Sequence, residues 1–344
     1  VLRVIGWDIG GANVKAARLL FTDGRAESGR AVRRYFELWN DRGGLRPLLQ
    51  EIHSDLGSAD AMVLTMTGEL CDAFHDRAEG VTCIIDAVRE AVPGIPLYAV
   101  DLEGRLVRLD GGEADLLTIA ATNWIAEARV LASRQPDCLM VDIGSTTSDL
   151  IPILDGKLAA QGKRDIERLA RGELIYTGAL RTPVAAIVSQ IPMRGAICRI
   201  STEYFAISAD VYLALGRLKP EDYTCATPDG REKTKEGALR RLARVACEDS
   251  KHLTAGELHA MAAYIAEQQI QQITEGMFHV LSVIENGLHL PVVPVGIGAF
   301  LGEVCARRLN LTTYAPPALT DRGSLTLSPC AAAAYLLGET LSRG

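Results

Sequence analysis

The segment Val141-Asp142-Ile143-Gly144-Ser145-Thr146-Thr147-Ser148-Asp149 constrains this chain more than any other stretch, because a close counterpart stands near the start. There Val4-Ile5-Gly6-Trp7-Asp8-Ile9-Gly10-Gly11-Ala12-Asn13-Val14-Lys15 repeats the same order: apolar strand, aspartate, isoleucine, glycine, small residue, renewed strand. Glycine lets the backbone close on an oxyanion and adopt φ values forbidden to other residues. Successive N–H groups, with the hydroxyls of Ser145, Thr146, Thr147 and Ser148, can then donate to phosphate oxygens, while Asp8 in one copy and Asp142 or Asp149 in the other can hold a hydrated Mg²⁺. A single copy would also fit an ordinary Gly-Ser hairpin turn. Two copies, with their aspartates at positions 8 and 142, indicate a duplicated domain.

The type of turn is equally informative. A Rossmann or P-loop phosphate turn leads into a helix, whereas here alternating apolar residues continue past the glycines and G-x-x-x-x-G-K-[ST] is absent. The pattern predicts a hairpin of Leu2–Trp7, a loop over Asp8–Asn13, and Val14–Phe21. Lys15 lies two residues into the second strand, where it can point back at a phosphate or stand as a solvated strand lysine.

A chain of 344 residues suits two domains of about 100 to 200 residues each. The expected division is 1–136 and 137–344, each with one phosphate loop, the second carrying a helical insertion at about 200–286 and a late Gly-rich turn. With 48% hydrophobic and 23% charged residues the composition is that of a globular protein. A formal charge of −7 leaves no electrostatic footprint for nucleic acid or an anionic membrane. The eight cysteines are scattered with no C-x-x-C pair, which argues against a zinc or iron–sulfur site. No apolar run approaches the roughly 20 residues of a spanning helix, and the chain opens directly in a strand, so a cytoplasmic location is expected.

Between and after the loops, three further segments carry candidates. Ala61-Met62-Val63-Leu64 reads as a buried strand ending in Thr65-Met66-Thr67-Gly68-Glu69-Leu70, and polar residues at the carboxyl end of such a strand are where open α/β sheets bind ligands. Thr67 and Glu69 are therefore site candidates, with Thr67 as a helix N-cap the competing explanation. Gly172–Ala186 brings Arg181 and Thr182, and Thr202-Glu203-Tyr204-Phe205 forms the next polar cluster. The turn-rich stretch Lys219–Lys235 is the best candidate for a mobile loop. Pro291–Val295 leads into Gly296-Ile297-Gly298-Ala299, a strand-to-helix turn whose bare backbone leaves room for a flat ring or another phosphate.

Two D-x-G-[GS] hairpins and a late strand-G-x-G-helix, in that order, resemble the superfamily of acetate and sugar kinases, heat-shock chaperone and actin. V-D-I-G-S-T-T-S-D resembles its hydantoinase A/oxoprolinase branch. More narrowly, G-W-D-I-G-G-A-N-V-K, T-M-T-G-E-L, A-T-N-W, G-E-L-I-Y-T-G-A-L-R-T-P and T-E-Y-F-A-I-S-A-D-V-Y are similar to the tetrahydromethanopterin-linked C1-transfer family, whose archaeal members are the methanofuran-biosynthesis condensing enzyme. The fold this implies is α/β: two duplicated actin-like, ribonuclease-H-like domains with mixed sheets flanked by helices and a cleft between them.

The resemblance implies a transferase that joins an aminomethylfuran-methyl diphosphate to the phenol of γ-glutamyltyramine and releases diphosphate. Its partners would be those two small molecules, its cofactor Mg²⁺. It implies phosphate contacts from Asp8, Gly10, Gly11, Asn13, Lys15, Gly144, Ser145, Thr146, Thr147, Gly296, Gly298 and Ala299, with Asp8 and Asp142 at the metal. Arg77, Arg181 and Lys15 could offset diphosphate charge, Thr67 and Thr182 contact substrate, and Glu69, Glu203 or Asp149 serve as the base a phenol needs at neutral pH. The alternative is an ATP-dependent small-molecule kinase or hydantoinase-like enzyme of the same fold, with ATP or ADP against Gly296–Ala299. Ser145 stands where the first loop has Gly11, so the two loops need not do identical jobs.

Overall fold

Each copy of the doubled motif folds as a strand-loop-strand unit at the centre of its own sheet. The computed structural model describes residues 1–110, 115–321, 323 and 325–343. In chain order the first elements are β1 (Leu2–Ile9), β2 (Asn13–Thr22), β3 (Arg25–Tyr35), α1 (Leu45–Leu56), β4 (Ala61–Met66), α2 (Arg77–Ala91), β5 (Leu97–Val100), β6 (Leu106–Arg108) and α3 (Asn123–Ala132). There follow β7 (Cys138–Ile143), β8 (Ser148–Leu154), β9 (Lys157–Leu158), α4 (Asp165–Ala170), β10 (Leu174–Ile175), α5 (Val184–Ile187), β11 (Gln190–Met193) and β12 (Ala196–Arg199). The chain continues through α6 (Ser208–Ala214), α7 (Lys235–Val245), α8 (Ala255–Ser282), β13 (Val292–Val295), α9 (Ala299–Arg308) and α10 (Pro329–Arg343).

The first sheet has the order β3-β2-β1-β4-β5-β6. β1 and β2 pair antiparallel as the expected hairpin, with Ile9 opposite Val14, and β4 lies parallel to β1 on its other side. Strands buried on both faces read as continuous apolar runs, and every residue of β4 is buried. α1 turns Leu45, Leu49, Ile52 and Leu56 onto this sheet at helical spacing. The second sheet runs β10-β8-β7-β13, with β13 parallel to β7. The Asp155-Gly156 turn after β8 has both residues at positive φ (51° and 69°), as a two-residue hairpin turn demands.

The chain divides into two compact units: Val1–Asp137 with Ile153–Leu158 and Pro316–Gly344, and Cys138–Pro152 with Ala159–Ala315. A single cut at 136/137 therefore misplaces the C-terminal segment. The reason is α10, which packs on β1, β2 and β4 and against α3. Ala331, Ala332, Ala333 and Ala334 are fully buried, and side chains this small let helix and sheet backbones meet closely. A Cβ at Gly6 would run into the Cys330 carbonyl, and one at Gly338 into the Phe21 ring. Each methyl buried in this seam contributes about 0.8 kcal/mol.

In the second unit, a buried polar network fixes the segment expected to be mobile. Arg241, fully buried, donates from Nε to Asp210 Oδ1 at 2.9 Å and from Nη1 to Asp229 Oδ1 at 3.1 Å. Tyr223 donates its hydroxyl to the same Asp210 oxygen at 3.0 Å, and burial raises its pKa. Residues 219–235 are thus tied down at Tyr223 and Asp229. Among the described residues, no helix is long and apolar enough to cross a membrane.

Candidate oxyanion-binding loops

The two loops close in the same way. The Gly10 N–H donates to the Asn13 carbonyl at 2.9 Å, and the Gly144 N–H donates to the Thr147 carbonyl at 2.9 Å. Each bond tightens its turn.

In the first unit, the carboxyl end of β4 backs the loop. The N–H groups of Thr67 and Gly68 both reach the Ile9 carbonyl at 3.0 Å. Gly68 approaches so closely that a Cβ there would stand 2.9 Å from Gly10 C and 3.0 Å from Gly11 N. Thr67 caps no helix: α2 begins ten residues later with Asp76 as its N-cap, accepting from the Glu79 N–H. The Thr67 hydroxyl lies instead beside Gly10. Asp8 is buried, with Oδ2 3.0 Å from the Lys15 ammonium and Oδ1 3.4 Å from the Thr65 hydroxyl. Lys15 is therefore more than a solvated strand lysine, and the pair presents its more exposed end as a cation. Glu69 is buried, with Arg77 Nε 3.7 Å from Oε1. Asn13 is buried, and its side-chain oxygen accepts from Arg33 Nε at 3.1 Å. Its contribution to the loop is the carbonyl.

In the second unit, the stretch 177–182 wraps the loop. The Ala179 N–H donates to the Gly144 carbonyl at 2.9 Å, and those of Leu180 and Arg181 donate to Ser145 at 3.1 and 2.8 Å. Gly178 packs against the loop backbone, where a Cβ would lie 2.6 Å from Thr146 N. Arg181 Nη1 stands 3.4 Å from the Thr146 hydroxyl. Thr182 is buried and takes the Gly178 N–H on its hydroxyl at 2.8 Å, so it holds the wrap rather than meeting a ligand. Ser148 likewise turns inward, donating to the Thr177 carbonyl at 2.7 Å, which leaves the hydroxyls of Ser145, Thr146 and Thr147 partly accessible.

The Gly296 turn comes to this same loop, but its glycines serve internal contacts. Gly296 has φ +81°, and a Cβ on it would collide with Asp142 Oδ1 and the Ile143 carbonyl. At Gly298 a Cβ would meet the Ile143 side chain, and the Gly298 N–H donates to the Ile143 carbonyl at 2.8 Å. The missing side chains therefore make room for Asp142 and Ile143 rather than for a flat ring. Ala299 opens α9 directly behind them.

Two of the three candidate bases are placed unfavourably. Asp149 forms a buried ion pair with Arg168 at 2.8 Å, and burial pushes its pKa up against the pull of that arginine. Glu203 is exposed, its backbone N–H on the Ser201 hydroxyl at 3.1 Å. Glu69 is buried beside the first loop, with Arg77 3.7 Å from its carboxylate, whereas the Asp149 carboxylate is held directly by Arg168 at 2.8 Å.

Sequence reasoning missed several supports. Gln269 on α8, fully buried, donates to Thr177 Oγ1 and the Gly178 carbonyl at 2.8 Å each and accepts from Tyr212 at 2.6 Å. Burial and then the Asp8 carboxylate push the Cys330 thiol up to about 12, and Glu127 of α3 acts on it too. Gln269 is one of four glutamines over residues 268–272, so nothing in the sequence set it apart, whereas Glu127 stands between the apolar Trp124-Ile125-Ala126 and Ala128 of α3.

A family model described as hydantoinase/oxoprolinase matches residues 60–337. The chain belongs to the hydantoinase/oxoprolinase family. The resemblance carried by the loop motifs agrees with this. The (4-{4-[2-(gamma-L-glutamylamino)ethyl]phenoxymethyl}furan-2-yl)methanamine synthase of Methanocaldococcus jannaschii is 37% identical to this chain over 277 residues, covering 80% of this chain and 81% of that protein. The protein of the same name from Methanococcus vannielii is 46% identical over 121 residues, 35% of this chain and 54% of that one. Among solved structures, nucleotide-free acetone carboxylase superposes with a TM-score of 0.58 at 12% identity, over 96% of this chain and 71% of that one. The PilM-PilN type IV pilus biogenesis complex gives 0.51 at 10%, over 98% of each chain. At these identities they speak for the fold alone, the mixed α/β actin-like architecture expected from the doubled motif.

Proposed function

We propose that this hydantoinase/oxoprolinase family member condenses an aminomethylfuran-methyl diphosphate with the phenol oxygen of γ-glutamyltyramine, releasing diphosphate. The observation that carries the reading is the 37% identity, over four-fifths of both chains, to a synthase whose name describes that ether product. The synthase names indicate an enzyme; the transfer chemistry is the part proposed.

The bond that breaks joins the furfuryl carbon to a diphosphate oxygen, and the bond that forms joins that carbon to the phenol oxygen, whose proton leaves. Electron release from the furan stabilises the carbon, so the chief demand is to hold the negative charge growing on the leaving group. Preorganised N–H groups and cations meet it. In the second unit this reading gives that task to the loop at Gly144–Thr147, with hydroxyls of Ser145, Thr146 and Thr147 and the guanidinium of Arg181. The first loop, with Gly10, Gly11 and Lys15, is a second cradle of the same kind.

The residues fit a hydrated Mg²⁺. Such an ion keeps most of its waters and takes one or two carboxylates plus phosphate oxygens. Asp142, whose Oδ1 lies beside Gly296, would hold it; Asp8 already has Lys15 on Oδ2. When bound, the ion would add positive charge at the departing diphosphate.

The test is a coupled assay for diphosphate with the furan diphosphate and γ-glutamyltyramine. Release that requires both substrates supports the reading. Turnover of Mg-ATP with no diphosphate release from the furan substrate would replace it with the kinase-like alternative.

A further inference from the structure

A row of polar side chains crosses the first sheet at its loop end. Arg33, Lys15, Asp8 and Thr65 are successive register partners on β3, β2, β1 and β4. Partners in register point to the same face, and in antiparallel pairs their Cβ atoms lie about 4.5–5.5 Å apart. The Lys15 ammonium is 3.0 Å from Asp8 Oδ2, and the Thr65 hydroxyl is 3.4 Å from Asp8 Oδ1. The row thus sets two cations side by side with a carboxylate next to them. Like charges directly opposite each other destabilise an antiparallel pair, so the juxtaposition of Lys15 and Arg33 carries a cost in the fold.

Arg33 is turned towards the loop. Its Nε donates at 3.1 Å to Oδ1 of Asn13, which stands two residues before Lys15 on the same face. Asn13 also supplies the carbonyl that closes the loop on the Gly10 N–H. Beyond β3 the chain stays on the loop, with the Phe36 N–H on the Ala12 carbonyl at 3.2 Å and the Leu38 N–H on the Gly11 carbonyl at 3.0 Å. The strand end that carries Arg33 is therefore fastened to the loop itself, and Lys15 and Arg33 are both half-buried there. Helix α10 adds to the same field. It runs away from the loop, from Cys330 beside Gly6 to Gly338 beside Phe21, so its positive N-terminal end lies nearest the row.

We propose that Lys15 and Arg33 form a two-cation clamp for a diphosphate-like anion at the first loop, with Asn13 as the residue that positions Arg33. The clamp rests on the reading of that loop as an oxyanion cradle, and it adds a guanidinium to the lysine already placed there. A guanidinium offers five N–H donors in a planar fork, of which the Asn13 bond takes one. That fork suits two phosphate oxygens at once. A diphosphate reaches both cations and an orthophosphate one, so the clamp selects the longer anion. A hydrogen bond to a charged group corresponds to about a tenfold to hundredfold gain in affinity.

The experiment is isothermal titration of the protein with inorganic diphosphate and with orthophosphate, at fixed Mg²⁺ and salt, beside the diphosphate-release assay. The variants are Arg33→Gln, Arg33→Lys, Asn13→Ala and Arg33→Gln combined with Asn13→Ala. Wild type should prefer diphosphate by at least about tenfold. Arg33→Gln, which still offers Asn13 an N–H, should lose about tenfold or more in diphosphate affinity together with most of the preference, and Arg33→Lys should recover part of both. Asn13→Ala should weaken diphosphate binding when Arg33 is present and not further when it is Gln, a non-additivity in ligand affinity that a merely structural bond does not produce. Thermal unfolding identifies any variant that fails to fold, and the folded ones decide. Equal binding of the two anions by wild type, or undiminished diphosphate affinity in both Arg33→Gln and Asn13→Ala, overturns the clamp. Arg33-dependent diphosphate binding by a protein that releases none from the furan diphosphate would instead overturn the condensation reading and leave the clamp standing.

Discussion

Arg168 donates from Nη2 to Oδ1 of Asp149 at 2.8 Å, and neither side chain is more than a tenth exposed. Asp149 stands near the start of β8 just beyond the phosphate loop and Arg168 on α4, with the same guanidinium nitrogen also on the Glu173 carbonyl at 3.1 Å. An acid read from sequence as a possible base is thus an anchor for the strand that leaves the loop.

Replacing Arg168 by Met strands a buried carboxylate and should destabilise the fold by about 3–5 kcal/mol near neutral pH. The deficit should depend on pH. Burial already raises the folded pKa of Asp149 above 3.8, and loss of Arg168 removes the opposing pull. A raised folded pKa gives stability that is present below the unfolded value and lost as pH rises through the folded one. The variant should therefore approach wild type at pH 4 and fall away towards pH 8 in urea unfolding. A deficit that is flat with pH would show that Asp149 is not left ionised and alone.

Gly296 and Gly94 both have φ +81°, but an added Cβ at Gly94 meets nothing within 4 Å whereas at Gly296 it strikes Asp142. Alanine at either position should cost about 1–2 kcal/mol of backbone strain. Only Gly296→Ala should also cut diphosphate release, by about a hundredfold, the scale of a displaced reacting group. Equal activity in the two variants would remove Asp142 from the site.

Gln269→Leu leaves Thr177, Gly178 and the Tyr212 hydroxyl without their shared partner. The expected loss is about 1–3 kcal/mol per stranded group, partly relieved by relaxation. Because Gly178 packs on Thr146, product inhibition by diphosphate should weaken along with stability. Undiminished inhibition in a destabilised variant would confine Gln269 to folding.

Asp142→Ala should preserve the circular dichroism spectrum and lower turnover at least about a hundredfold, as when one charge-stabilising group is removed. Added Mg²⁺ should not restore it. Full turnover in the variant would exclude the metal role assigned to this carboxylate.

Glu69→Gln should slow condensation and recover in part at high pH, where the phenol ionises unaided. Glu203→Gln, altering an exposed side chain, should leave the rate within about twofold, given that surface substitutions shift energies by less than about 0.5 kcal/mol. The opposite ranking would exchange their roles.

Much of the architecture was legible because it is periodic. α1 begins and ends where its apolar spacing begins and ends, and the two hairpins declare themselves by strands that resume after glycine. The loops were readable for the same reason: glycines, hydroxyls and an aspartate have few other uses together. What was hidden depends on long-range packing. Ser148, Asn13 and Thr182 look like ligand donors in the sequence, yet their partners, Thr177, Arg33 and Gly178, are supplied by other segments. The Gly296 turn misled similarly, since a bare backbone serves a ligand and a neighbouring aspartate equally well. Helix α10 escaped because an alanine run has no amphipathic stripe, and only its fit against Gly6 and Phe21 shows where it belongs.

That fit sets an order of events during synthesis. The sheet that starts at Leu2 is covered by a helix that starts at Pro329, so its strands must wait, with one face bare, until everything between the two has been made. The second unit, whose segments all lie inside that interval, can finish first. A chain released before Pro329 would thus carry one finished half and one unfinished one, the unfinished half being the one begun earlier.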